Sequence, residues 1–120
     1  MMDTLAELSP ALAAPAGLAC DLDALDPADH DRQAATFERL RQSVLEVKEL
    51  ADGWAVRLPA TDDALHLIAD FVSYERRCCP FFEFNLNVTP DAGPFWLRLT
   101  GRPGVKAFLS GAFTPGESHD

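Results

Sequence analysis

The sequence predicts an α+β domain, a mostly antiparallel five-stranded sheet with helices packed on one face, in the order βαββαββα. Three observations lead there. Two segments, opening at Asp26-Pro27 and at Thr61-Asp62, join a helix-start signal to apolar residues at three- and four-residue spacing. Two pairs of alternating stretches flank turn sequences: residues 44–50 and 54–58 around Asp52-Gly53, and residues 82–88 and 95–100 around Thr89-Pro90-Asp91-Ala92-Gly93. A shorter alternating stretch, Leu18-Ala19-Cys20-Asp21-Leu22, precedes them all.

Taken in order, residues 1–15 are alanine-rich and broken by Pro10 and Pro15, which predicts a loose leader ahead of a single domain over 16–113. Residues 18–22 read as a strand with Leu18, Cys20 and Leu22 facing inward. Asp26 as N-cap, Pro27 at the first helical position and Asp29 in the first turn announce a helix running to about Ser43, burying Phe37, Leu40 and Val44. The following hairpin puts Trp54, Val56 and Leu58 on one face, and Pro59 closes it. A second helix starts from Thr61 or Asp62 and must end at Cys79, because Pro80 has no N–H and disfavours helix in the residue before it. The last hairpin directs Phe82, Phe84, Leu86 and Val88, then Phe95, Leu97 and Leu99, to the core. Pro103 opens a short final helix with Val105, Phe108, Leu109 and Ala112 inward, and residues 114–120 read as a disordered tail. The first six elements match a ferredoxin-like order, in which the first strand neighbours the fourth. That topology brings Cys20 beside the start of the strand that follows Cys79.

Composition bounds the function classes. The chain has 120 residues and a formal net charge of −9, with no basic cluster, which argues against nucleic acid or an anionic membrane as partner. Three cysteines make an odd number, far below the density of a secreted disulfide scaffold, and Asp3 and Glu7 stand where a signal peptide needs positive charge. A cytoplasmic location follows as the expectation. No apolar run reaches transmembrane length, and no glycine-rich phosphate loop, Ser/His/Asp spacing or paired-carboxylate motif indicates a nucleotide cofactor or a hydrolase.

The chemistry concentrates in Glu75-Arg76-Arg77-Cys78-Cys79-Pro80-Phe81. Along the second helix Leu65, Ile68, Phe71 and Val72 form the apolar stripe, whereas His66, Asp70, Ser73 and Arg77 lie opposite. Cys78 lies seven residues beyond Phe71 and Cys79 seven beyond Val72, so both thiols continue the buried stripe. Glu75 lies on it as well, and a carboxylate there breaks the binary pattern. It pairs with Arg98 or Arg102, or it serves the thiols. The carboxyl end of a helix opposes thiolate formation, and Arg76 is the better placed of the two arginines to offset that, with Arg77 toward solvent. A single buried cysteine, Cys20 included, is ordinarily a small hydrophobe. Adjacent cysteines before proline with a carboxylate on the same face are harder to read as filler. His30 and His66 read as surface residues.

Glu75 to Phe81, with a cysteine in a short first strand and the arm Gly93-Pro94-Phe95-Trp96-Leu97-Arg98-Leu99-Thr100-Gly101, resembles a group of small uncharacterised bacterial proteins sharing an E-R-x-C-C-P-F signature. The resemblance covers roughly residues 18–110; Phe82 departs from the smaller aliphatic residue common there. It implies an association with soft-metal responses, carried over to Cys20, Cys78, Cys79 and Glu75. Two or three thiolates suit Cu(I), Hg(II) or As(III), whereas Zn(II) wants a fourth ligand, for which Glu75 is available. The expected function is therefore a thiolate protein binding a soft metal or metalloid. Two alternatives stay open: a thiol–disulfide redox protein using the vicinal cysteines, and a non-enzymatic homodimer built on the open sheet face carrying Trp96 and its neighbouring edges.

Overall fold

The structure is a computed structural model and describes residues 24–113. The expected leader, first strand with Cys20, and tail lie outside the described residues. The elements are α1 (Pro27–Ser43), β1 (Glu46–Leu50), β2 (Gly53–Leu58), α2 (Asp62–Cys78), β3 (Phe82–Val88), β4 (Phe95–Gly101) and α3 (Val105–Phe113).

Both long helices start where the sequence signals them. Asp26 is extended and its carboxylate accepts from the Asp29 amide at 2.8 Å, with Pro27 supplying a preset first turn. Thr61 caps α2, its hydroxyl accepting from the Ala64 amide at 3.0 Å. Strands β1 and β2 turn tightly at Ala51-Asp52. Between β3 and β4, Asp91 and Ala92 both take positive φ, 61° and 58°, the sign pattern of a type I′ hairpin turn. The Gly93 amide closes it on the Pro90 carbonyl at 3.1 Å.

The four described strands form one antiparallel sheet in the order β1-β2-β4-β3. This differs from the expected five strands in ferredoxin-like order, where the first strand would stand between β2 and β3. Strand β4 holds that place, pairing Leu58 with Phe95, Val56 with Leu97 and Trp54 with Leu99 on one side, and Phe84 with Leu99 and Leu86 with Leu97 on the other. Burial favours this: the inner row of β4 is apolar throughout, with Leu97 and Leu99 wholly inaccessible, and a central strand hides such a row best.

Residues opposite one another in these registers share a face. The inner face carries Val47, Trp54, Val56, Leu58, Phe95, Leu97, Leu99, Phe82 and Phe84, packed with Leu40, Leu67, Ile68 and Phe71 of the helices. The outer face carries Lys48, Arg57, Trp96, Arg98, Glu83 and Asn85. Three residues assigned inward are exposed. Leu86 and Val88 are 41% and 57% exposed because the helices do not reach that end of edge strand β3, and Phe108 is 38% exposed. Trp96 is not a bare docking face: it is half-buried, with the Lys48 ammonium 4.5 Å from its ring centre. Helix α3 is fastened to the inner face by Val105 and Leu109, and by the Trp54 indole N–H donating to the Lys106 carbonyl at 3.0 Å. Lys106 also pairs with Glu49.

The strand order has a direct test. Hydrogen exchange should show the amides of β2 and β4 as better protected than those of β1 and β3, since the two inner strands are paired on both sides; slower exchange in β1 or β3 would contradict it.

Candidate functional site

Helix α2 ends as Pro80 requires. Cys78 is its last residue and Cys79 its C-cap, with φ −128° and its amide donating to the Glu75 carbonyl at 2.7 Å. The chain then turns through Pro80 and Phe81, and the Phe82 amide returns to the Cys79 carbonyl at 3.3 Å. Gly101 presses on this bend. A Cβ built there would lie 2.8 Å from the Phe81 carbonyl oxygen and 2.8 Å from Val105, so the bend, the end of β4 and the start of α3 meet around a position with no room for a side chain.

Both thiols are buried, as their spacing predicts: Cys78 is 3% and Cys79 4% exposed. Their states differ. Cys78 is a free thiol and Cys79 is disulfide-bonded. The rings of Phe81, Phe82 and Phe108 pack against one another next to the pair in sequence, with the Phe81 and Phe108 centroids 5.3 Å apart and nearly perpendicular. Phe108 makes this contact although it is 38% exposed.

Glu75 is half-buried, and its carboxylate accepts from the Gln33 side-chain amide at 3.0 Å. The expected ion pair with Arg98 or Arg102 is not formed. Arg98 projects from the opposite face of the sheet, across from Ala55 and Asn85, and Arg102 is exposed. Burial pushes the Glu75 carboxyl above its ordinary value, and the Gln33 hydrogen bond offsets this only in part. The arginine expectation reverses too. Arg76 is exposed, whereas Arg77 is half-buried, donating to the Ser73 carbonyl at 3.1 Å with its guanidinium 5.6 Å from the Tyr74 ring centre. His66 is exposed and His30 half-buried.

Gln33 is the site residue that the sequence reading missed, yet its signal was present. It lies four residues before Phe37 and seven before Leu40, on the buried stripe of α1, and so breaks the binary pattern just as Glu75 does on α2. Their bond joins the first half of α1 to the last turn of α2, so the two helices run antiparallel. At the other end of the pair, Arg39, Gln42 and Ser43 share an open recess with Thr61, Asp63 and Leu67. The chain therefore enters α1, through buried Leu25 and exposed Asp26, at the cysteine end of α2.

Among the described residues, no group of three or more His, Cys, Asp or Glu side chains is arranged to hold a metal ion. Cys78 and Cys79 are adjacent, Glu75 is turned to Gln33, and Cys20 lies outside the described residues. No described helix is long and apolar enough to cross a membrane. The fold and the site together define a small α+β protein with a buried vicinal cysteine pair. Compared with protein-family models, curated proteins and solved structures, the chain matches none.

The Glu75 carboxyl supplies a pH test. Its proton is held more tightly folded than unfolded, so its stabilising effect is complete below the ordinary value of 4.5 and is lost as pH rises through the raised one. Glu75→Gln, which keeps a hydrogen-bonding side chain toward Gln33, should flatten the fall in Tm as pH is raised from about 4.5 toward neutrality. An unchanged slope would show that Glu75 titrates normally.

Proposed function

We propose that this protein handles soft, thiol-seeking chemistry through Cys78, Cys79 and Cys20, and that its reduced form is a binding site for a soft metal or metalloid ion. The observation that carries this reading is the burial of two adjacent cysteines at the end of α2, the end at which the described chain enters α1. Cys20 precedes Leu25 by five residues, a reach of about 17 Å when extended. This route to a three-thiol cluster does not depend on the ferredoxin-like order. Three thiolates suit Hg(II), As(III) and Cu(I); Zn(II) would need a fourth donor, and Glu75, three and four residues before the pair, is the carboxylate within reach. The acidic chain attracts cations in general, but burial in hydrocarbon selects those that shed water readily and favour sulfur. Cytoplasmic reducing conditions would keep the site open.

The disulfide at Cys79 favours a second reading, in which the same cysteines cycle between thiol and disulfide. With Cys78 free, Cys20 is the remaining cysteine of the chain and the partner this reading requires. In that cycle two thiols lose two electrons and two protons to a small disulfide oxidant, which leaves as two thiols. Such a bond would also gate the first activity, because Cys79 could not bind a cation until reduced.

Titrating the reduced protein with As(III), Hg(II), Cu(I) and Zn(II) separates the readings. Submicromolar binding is expected for at least one soft ion, absent in the oxidised protein and lost in Cys78→Ser/Cys79→Ser with circular dichroism unchanged. No such binding, or binding indifferent to these substitutions, would overturn the metal reading. Peptide mapping of unreduced protein before and after glutathione disulfide should find Cys20 joined to Cys79; failure to find that link would remove the redox reading.

A further inference from the structure

Strand β3 is an edge strand with none of the features that usually blunt one. Edges are ordinarily protected by lysine, proline, a bulge or a covering segment. Phe82-Glu83-Phe84-Asn85-Leu86-Asn87-Val88 has no lysine or proline, a regular register against β4 throughout its length, and one charge. No described strand pairs with its outer edge. Asn85 through Val88 are all exposed, and the exposed aliphatic side chains Leu86 and Val88 stand on the inner face, in line with half-buried Phe82 and Phe84.

We propose that a second copy of this chain docks on this edge, with β3 pairing antiparallel to its own copy about a two-fold axis at Asn85. The argument for a copy is the self-complementarity of the strand. In this register all seven residues of β3 pair: Phe82 meets Val88 of the other copy, Glu83 meets Asn87, Phe84 meets Leu86, and Asn85 meets itself. The inner-face rows of the two copies then run on as one. Each exposed aliphatic lands opposite a phenylalanine whose ring is already anchored, Phe84 by Phe71 at 6.0 Å and Phe82 by Phe81 at 4.7 Å. No like charges face each other, because Glu83 lies across from an asparagine, whereas the opposite edge, β1, carries Glu46, Lys48 and Glu49. Because opposing residues keep to the same face, the axis is perpendicular to the sheet, and the helices of both copies lie on one side of an eight-stranded sheet. This contact is independent of the thiol chemistry proposed above.

Sedimentation equilibrium of the full chain under reducing conditions should show reversible dimerisation. Leu86→Lys should abolish it with circular dichroism unchanged, and Asn87→Glu, which sets a carboxylate opposite Glu83 of the other copy, should weaken it if the Leu86 variant does not fold. In Asn85→Cys the paired α-carbons would be about 4.5–5.5 Å apart, within disulfide range, so oxidation should give a covalent dimer linked through residue 85 by peptide mapping. A chain that stays monomeric would overturn the proposal, the more so if hydrogen exchange finds the outward amides of β3 protected by the chain's own amino-terminal segment. A dimer unaffected by both substitutions and lacking the residue 85 link would place the contact elsewhere and equally overturn it.

Discussion

The structure turns on the inability of Pro80 to continue a helix. Helix α2 is amphipathic along its length, and without a hard stop its buried stripe would run on past the sheet. The missing N–H at Pro80 ends the helix at Cys78, leaves Cys79 as cap, and sends the chain back through Phe81 into β3. Two polarisable side chains thereby finish a hydrophobic stripe at the point where it meets the sheet. Everything distinctive about the site follows from that position: the burial of both thiols, the partial burial of a carboxylate one turn earlier, and the aromatic packing after the bend.

Glu75 and Gln33 show how a polar contact can organise a helix pair. A carboxyl on a buried stripe is costly unless it is partnered or neutral, and here it is partnered by an amide and held toward its neutral form by burial. A neutral partner keeps the site from acquiring a fixed positive charge, which would repel cations. The same bond fixes which end of α1 lies against the thiols, and so where the preceding chain joins the domain.

What the sequence made legible was local. The caps at Asp26 and Thr61 and the stop at Pro80 depend on a few neighbouring residues and are found where those residues place them, and the turn expected at Asp52-Gly53 falls one residue earlier, at Ala51-Asp52. Burial of Cys78 and Cys79 was legible for the same reason, being a matter of helical spacing. Strand order was not, because whether β2 pairs with the first strand or with β4 depends on the competition between distant apolar rows. Leu86 and Val88 alternate just as Phe82 and Phe84 do; their exposure is decided by how far the helices extend, which strand periodicity does not encode. Gln33 lay between these cases, visible on its own helix but meaningful only once α2 was placed beside it.

The contact at Gly101 gives the molecule an internal reporter. The bare α-carbon there touches the carbonyl of the cysteine bend on one side and the first turn of α3 on the other. Helix α3 is in turn tied to the Trp54 indole through the Lys106 carbonyl. A displacement of the bend by a fraction of an ångström therefore has a mechanical path to that indole, whose ultraviolet emission would register it.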